Sequence, residues 1–346
     1  AKSGMIGRMV SRGLMQPWFA APPETGQHSP WANDRSLSDS DKSDLLGWLE
    51  NGKPAGEPKD APLPRTWPTE WQIGTPDLIA QIPNPIEVKA TGTMRYQYAT
   101  VELGLSEDKW VRGIEVQPTA REVVHHVLVF VQEPGKPLRQ NGEFGGFFAA
   151  YVPGNAAFAY PEGFAKPLPA GSKLIFQLHY TPNGTATRDQ VKIGMIFAKE
   201  APRHEVRVIG ISTRKLRIPP GEENYTESAA IPVPRPVGIL GLMPHMHVRG
   251  KAFRYEATLA DGSTKTLLNV PRYDFNWQLA YRYREPLFLP PGSRVTVTGI
   301  FDNSANNPAN PDPTQTVKWG EQTTDEMLIG YVEYYFTDEE ARLSGR

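Results

Sequence analysis

The chain has 346 residues, which is long enough for two or three domains with sizeable cores. Its net charge is −1, and it has neither a basic cluster nor an apolar run of about 18 residues, so no nucleic acid, anionic membrane or membrane span is expected. Cysteine is absent, which excludes disulfides, thiolate metal sites, iron–sulfur clusters and covalent c-type haem.

Residues 1–60 differ in pattern from the rest of the chain. A first helix is predicted near the N-terminus, before Met15-Gln16-Pro17-Trp18 breaks it. Ser38 and Asp41 have the spacing of a capping box that begins a second helix, and Asn51-Gly52 is a stop signal. Residues 61–74 are predicted to be a stiff, proline-rich linker.

From residue 75 onward the pattern indicates an all-β protein. Short alternating or continuous apolar runs recur, and the 34 prolines and 31 glycines favour frequent turns. The similar segments LPAGS, IPPGE and LPPGS each precede such a run, and two similar sandwiches in tandem would explain the repetition. We predict one β-sandwich domain at residues 75–202 and a second at residues 203–346.

Five of the seven histidines fall in three apolar, strand-like stretches: His125-His126, His179, and His245 with His247. A buried imidazole needs a polar partner, and a metal ion is the simplest partner common to all five. Met327 lies on another strand-like run and adds a thioether. Imidazole together with thioether suits copper, Cu(I) in particular.

Strand periodicity groups part of the candidate site near the C-terminus. His245 and His247 are two residues apart and therefore share one face of a strand, which makes a bidentate clamp. Met327 and Tyr331 likewise share a face of the last strand. If the two strands are neighbours, Met327 completes a site with two histidines and one methionine.

The earlier histidines pose a geometric condition. Gln177 and His179 share a face, but His125 and His126 point to opposite faces of a regular strand. Both can reach one metal only if the strand is bulged or ends there. The sequence therefore predicts an irregularity at this position.

The order of these motifs resembles the copper type II ascorbate-dependent monooxygenases, which include peptidylglycine α-hydroxylating monooxygenase and dopamine β-hydroxylase. The resemblance covers roughly residues 75–336. It extends to YDFNWQ at 273–278, to LFLPPGS at 287–293, and to the block that runs from Trp319-Gly320 to Asp325-Glu326-Met327. These additional segments are closer to the dopamine β-hydroxylase-like branch.

The resemblance implies two tandem antiparallel jelly-roll-type sandwiches that face each other across a solvent-filled cleft. It implies two coppers: one that relays electrons and one that binds O₂ and a small-molecule substrate, with ascorbate or a similar donor as co-substrate and an alcohol as product. The implied ligands are His125, His126 and His179 for the first copper, and His245, His247 and Met327 for the second. The implied catalytic residues are Met327, His245, His247, Tyr331 and Gln177.

The chain also departs from the family pattern. Met243 stands where the peptidylglycine enzymes have an arginine that grips the substrate carboxylate, and Ile329 replaces an asparagine. A peptide carboxylate is therefore not expected as the anchor at this place, and the pocket should be more apolar. These features, with the absence of the family's disulfides, suggest a bacterial homologue that is periplasmic or extracellular.

The N-terminal segment carries a second, weaker resemblance, to the C-terminal half of a c-type cytochrome. It rests on Leu14-Met15-Gln16-Pro17-Trp18 and on the helix that ends in WLENGKPAGEP. Without Cys-x-x-Cys-His, haem cannot be attached covalently here. We interpret residues 1–60 as a remnant that packs on the core without contributing chemistry, and a redox partner that contacts this segment is left open.

Two other functions compete with the monooxygenase. The same ligands could store or sense copper without turnover, or one histidine cluster could hold a structural zinc. The methionine argues against zinc, which rarely recruits a thioether. Substrate, physiological electron donor and oligomeric state stay open at this level.

Overall fold

The computed structural model describes residues 2–24, 26–64, 66, 70–136, 145–155 and 157–339. Among the described residues strand is far more abundant than helix, so the predicted all-β class is confirmed. No helix in these ranges has the length and apolarity to cross a bilayer. The helices are α1 Lys2–Ser11, α2 Asp39–Glu50 and a 3₁₀ turn at Pro58–Asp60.

The strands form two groups, which we call the first and the second β unit. The first unit consists of β1 Leu78–Gln81, β2 Ile86–Val88, β3 Gln97–Glu102, β4 Lys109–Gln117, β5 Val124–Gln132, β6 Ala149–Tyr151, β7 Ala157–Ala159, β8 Phe164–Leu168, β9 Lys173–Tyr180, β10 Thr187–Asp189, β11 Lys192–Phe197 and β12 His204–Glu205. The second consists of β13 Arg207–Ser212, β14 Arg217–Ile218, β15 Tyr225–Val233, β16 Val237–His245, β17 Gly250–Thr258, β18 Thr264–Val270, β19 Tyr281–Leu289, β20 Ser293–Phe301, β21 Val317–Lys318 and β22 Ile329–Phe336.

In the first unit, two sheets share one apolar core. One sheet has the order β1-β11-β4-β8-β12, with β7 also paired to β4, and the other has the order β3-β9-β5-β6. Buried side chains from both sheets, such as Val116 and Phe176, belong to a single cluster. The two sheets therefore pack face to face, which is the arrangement of a β-sandwich.

The second unit repeats this plan. Its sheets have the orders β13-β22-β16-β19 and β15-β20-β17-β18, and side chains such as Leu242 and Val297 bury against one another in a second cluster. Every residue of β16 is buried. This strand carries His245 at its end, so the candidate ligand lies at the edge of a fully packed strand.

The repeated LPxGx-type segments are turns that precede strands, as predicted. Gly171 and Gly292 have φ angles of 68° and 83°. This left-handed conformation carries a steric cost for residues with a Cβ, and glycine avoids that cost. The two turns lead directly into β9 and β20.

The N-terminal segment has the predicted helices and is tightly joined to the second unit. The capping box at α2 is present: the backbone N–H of Asp41 donates to the Ser38 hydroxyl, and the backbone N–H of Ser38 donates to the Asp41 carboxylate. Between the helices, Phe19 and Trp31 are each 5% exposed and belong to the core of the second unit. The ring of Trp31 packs 5.7 Å from that of Tyr281.

Truncation should therefore distinguish α1, which should be dispensable, from the segment that carries Phe19 and Trp31, which should be essential. We call this segment, residues 14–36, the belt. A chain that starts at residue 37 loses Phe19 and Trp31, and removal of one large core aromatic side chain typically costs about 3–5 kcal/mol. A chain that starts at residue 14 keeps both side chains and should be clearly more stable. Chemical denaturation of the two truncated proteins tests this. Equal stabilities would show that the belt does not support the second unit.

Candidate metal centre

His125, His126 and His179 form one cluster because β5 is irregular at the predicted position. In the pairing of β5 with β9, Val124 is opposite Tyr180 but His126 is opposite His179, so one extra residue is accommodated at His125. The shift lets both neighbouring histidines approach His179, and the ring centroids of the three lie 5.0–5.3 Å apart. The irregularity that the sequence predicts at these two histidines is therefore present.

The nitrogen atoms of this cluster fit a metal ion. The Nδ1 atoms of His125 and His126 are 3.1 Å apart, and one ligand nitrogen from each of the three residues lies within 4.8 Å of the others. His125 Nε2, His126 Nε2 and His179 Nδ1 are buried without a hydrogen-bond partner among the described residues. Buried polar atoms are rarely left unpaired, so a ligand at this place is chemically reasonable.

The protonation state also suits metal binding. Burial lowers the pKa of His125 to about 3 and that of His179 to about 4, and it lowers the pKa of His126 well below its usual value. Neutral imidazole is the form that ligates a metal. At neutral pH, all three rings are therefore available as ligands.

In the second unit, protein acceptors orient His245 and His247. Gln278 Oε1 lies 2.6 Å from His245 Nδ1, and the backbone carbonyl oxygen of Asp325 lies 3.2 Å from His247 Nδ1. When Nδ1–H donates to such an acceptor, Nε2 of the same ring is left as the metal-binding atom. Burial lowers the pKa of His245 to about 4 and that of His247 well below its usual value.

Met327 lies just before the strand that pairs with β16. His245 is opposite Ile329, the first residue of β22, in that antiparallel pair, and Met327 is two residues before Ile329. Met327 is 1% exposed and packs in an apolar cluster with Met243, Ile329 and Tyr331. Met243 is two residues before His245 on β16, so the predicted sulfur ligand belongs to a cluster that includes the strand of His245.

Glu326 connects the two segments that carry these candidate ligands. Its buried carboxylate accepts hydrogen bonds from the backbone N–H groups of His247 (2.9 Å), Arg249 (2.6 Å) and Met327 (3.3 Å). Burial raises the pKa of Glu326 to about 8, although these bonds and Arg249 oppose the shift. One side chain thereby fixes the backbone of a histidine and of the methionine at once.

Glu326→Gln should weaken copper binding at the second site. Glutamine retains one acceptor oxygen, but its NH₂ group must face either the N–H of Arg249 or the N–H groups of His247 and Met327, so at least one of these hydrogen bonds is lost. Mutation of an orienting residue behind metal ligands typically costs 10- to 100-fold in affinity. Copper titration should show this loss at one site only. Glu321→Gln, at an exposed position nearby, is the matched control, and equal affinities in the two variants would contradict the assignment.

The two histidine sets meet directly. The rings of His126 and His245 have centroids 6.3 Å apart, and Phe275 of the second unit stacks on His125 at 4.2 Å. Thr323 Oγ1 lies 3.2 Å from His179 Nε2. The expected solvent-filled cleft is therefore closed at the level of the histidines, because loops of the second unit pack on the first cluster.

The remaining predicted site residues are also located. Gln177 is buried two residues from His179 on β9, and its Nε2 donates to the hydroxyl of Tyr98. Tyr331 is 3% exposed, and its ring lies 4.9 Å from that of Phe147 of the first unit. Their catalytic roles, like the ligand roles of the histidines and Met327, stay predictions.

Three residues with structural roles at the site were not singled out from the sequence. Gln278 and Phe275 lie in the YDFNWQ segment, and Glu326 lies beside Met327. Both segments had been noted for their resemblance to the family, which was the available signal. What each side chain contacts depends on the packing of loops and could not be read from the chain.

Comparison with known proteins gives one family. Residues 205–344 match the family described as copper type II ascorbate-dependent monooxygenase, C-terminal domain. None of the curated proteins compared with the chain matches it.

Solved structures show only a distant likeness. The major capsid protein P2 of bacteriophage PM2 is 9% identical, with 78% of this chain and 99% of that chain covered and a TM-score of 0.31. The VP2 subviral particle of infectious bursal disease virus is 13% identical, with 75% and 70% covered and a TM-score of 0.21. Scores this low support no conclusion about function.

The family match covers the whole second unit. It includes His245, His247 and Met327, which the motif resemblance had selected. The first unit lies outside the match and adds a three-histidine cluster compatible with a metal. Residues 205–344 are thus similar to the C-terminal domain of the copper type II ascorbate-dependent monooxygenases.

Proposed function

We propose that the protein hydroxylates a C–H bond of a small organic substrate, using O₂ and an external one-electron donor such as ascorbate, with two coppers per chain. The observation that carries the proposal is the direct apposition of two buried histidine sets, one of which belongs to the matched monooxygenase domain. A periplasmic or extracellular location and a bacterial origin are parts of the proposal that rest on the sequence alone.

In this proposal, His125, His126 and His179 hold one copper, and His245, His247 and Met327 hold the other. Bound copper would supply one-electron redox chemistry and the activation of O₂. The chain's own contribution is to keep the imidazoles neutral, to orient them through protein acceptors and to exclude water. A thioether ligand favours Cu(I), the state that must meet O₂.

The short distance between the two sets gives the first set its role. The rings of His126 and His245 have centroids 6.3 Å apart, so an electron could pass between the sites without another carrier. This supports electron transfer between the two sites; the proposal gives O₂ binding to the set with Met327, because a thioether favours Cu(I), and the relay to the three-histidine cluster.

Metal analysis and oxygen labelling test the proposal. The full chain should bind two coppers, and His179→Ala should retain one of them, whereas His28→Ala at an exposed position should retain both. Loss of both coppers in His179→Ala would indicate one shared site. With ascorbate, ¹⁸O₂ and a panel of small aromatic and aliphatic compounds, the label should appear in an alcohol product.

The same experiment separates the proposal from copper storage, which would bind copper without substrate-dependent O₂ consumption. Glycine-extended peptides should be poor substrates. Met243 and Ile329 are buried and apolar where a carboxylate would need polar partners, and an unpaired buried charge is costly. Efficient turnover of such peptides would contradict this part of the proposal.

A further inference from the structure

A cavity of about 80 Å³ lies between the two β units. One wall is formed by β16 with its neighbours β19 and β22 in the second unit. The opposite wall comes from the first unit and includes Phe147, Phe158, Tyr160 and Lys166. The cavity is distinct from the metal ligands, since none of the five histidines lines it.

The wall from the second unit is built in rows across the strands. Gly241 is opposite Arg282 of β19 on one side and opposite Glu333 of β22 on the other. Because glycine has no side chain, Arg282 Nη1 reaches across it to Glu333 Oε2 at 2.7 Å. Two residues further along, Met243 is opposite Tyr331. The cavity therefore has a charged row and, about 7 Å away, an apolar row.

The charged end contains more positive than negative groups. Lys166 and Arg282 are the cations that line the cavity, and Glu333 is the carboxylate that lines it. Glu333 accepts hydrogen bonds from Arg282 and from the Tyr160 hydroxyl at 2.5 Å, and it forms a salt bridge with the Lys166 ammonium at 3.5 Å. Burial alone would raise the pKa of Glu333, but Arg282, Lys166 and Tyr160 lower it below its usual value, so the group stays ionised.

Arg282 retains donors for a further ligand. Its guanidinium has five N–H groups, and among the described residues it donates through Nη1 alone. Its Cζ lies over the ring of Phe158, 3.2 Å from the centroid, and this close contact restricts the guanidinium. A planar, fixed guanidinium with unused N–H groups is suited to a carboxylate.

We propose that this cavity binds an organic anion, with the carboxylate on Arg282 and the apolar body directed along Met243 and Tyr331 toward Met327. The proposal rests on the function proposed above and names its substrate class. It is also compatible with the exclusion of glycine-extended peptides, because the carboxylate lies far from the candidate copper ligands. The row of His245 is four residues from the charged row, roughly 13 Å along the strand. The oxidised carbon should thus be remote from the acid group.

Calorimetry on the full chain, with and without copper, tests the class of ligand. The probes are 6-phenylhexanoate, the neutral 6-phenylhexanamide and the cationic 6-phenylhexylamine. The carboxylate should bind at least about 10-fold more tightly than the amide, since a hydrogen bond to a charged group is worth about 1.5–3 kcal/mol. The amine should bind most weakly. Equal affinity for the carboxylate and the amide would overturn the proposal.

Two variants give opposite expectations. Arg282→Gln should lower the affinity for 6-phenylhexanoate about 10-fold and leave the affinity for the amide nearly unchanged. Glu333→Gln should raise the affinity for 6-phenylhexanoate, because it removes the competing negative charge. Arg284→Gln, an exposed position on the same strand, is the control. If Glu333→Gln lowers the affinity for 6-phenylhexanoate as Arg282→Gln does, then Glu333 does not compete with the ligand for Arg282 and the proposal is wrong. If Glu333→Gln fails to fold, the order of affinities of the three probes for the unaltered chain still tests the proposal.

Failure of this inference differs from failure of the proposed function. Carboxylate-selective binding without ascorbate-dependent O₂ consumption would contradict the function and leave the binding site intact. Copper-dependent hydroxylation without any preference for carboxylates would contradict the ligand class alone. Carboxylate binding that requires copper and ignores Arg282→Gln would place the anion on the metal and overturn the proposal.

Discussion

Met327→Ile is expected to remove most ascorbate-dependent hydroxylation while leaving the fold nearly unchanged. The two side chains are similar in volume and both are apolar, so a buried packing position should lose less than about 1.5 kcal/mol of stability. A copper ligand at this position, by contrast, contributes the only sulfur of its set. X-ray absorption of the reduced protein should show a Cu–S shell in the parent and none in Met327→Ile.

Met243→Ile is the matched control for this substitution. Met243 is also buried and belongs to the same apolar cluster as Met327, so both variants should have similar stabilities. Only Met327→Ile should lose the sulfur shell, and the shell rather than activity is the readout for this pair, because Met243 lines the proposed substrate cavity. If the shell disappears in Met243→Ile instead, the sulfur ligand has been assigned to the wrong methionine.

The metal-free protein should lose stability steeply as the pH falls from about 6.5 to 4. Burial holds the pKa of His125 at about 3 and those of His179 and His245 at about 4 in the folded chain. In the unfolded chain, histidine has its usual pKa of about 6.5. The unfolded state therefore binds more protons in this range, and each such histidine can lower the free energy of unfolding by up to about 3 kcal/mol.

Urea denaturation of metal-free protein at several pH values measures this effect. Glu326 acts in the opposite direction between pH 8 and 4.5, because burial raises its pKa. The informative quantity is thus the difference in the free energy of unfolding between the parent and His179→Gln at each pH. The contribution of Glu326 is present in both proteins and largely cancels in this difference. The variant should have the flatter pH profile. Parallel profiles would mean that His179 is not held neutral by burial.

Local features of the chain were determined by the sequence. The capping box at Ser38 and Asp41 forms because both partners are within one turn of a helix. The irregularity at His125 follows from strand periodicity, which cannot otherwise direct two adjacent histidines to one metal. The all-β class and the second unit's similarity to the copper monooxygenase family could likewise be predicted, because motif order and alternation are properties of short segments.

The arrangement of those features was decided by tertiary structure alone. Periodicity places His126 and His245 on strands, but the closure of the cleft depends on how the loops of Phe275 and Thr323 pack on the first cluster. The sequence predicts that the N-terminal segment packs on the core, but only the tertiary structure shows that Trp31 enters the core of the second unit beside Tyr281. The row of Arg282, Gly241 and Glu333 joins positions from three strands. Such contacts join residues that are distant in sequence. They are selected by the free energy of burial, which depends on how all the strands and loops pack together and not on any one segment.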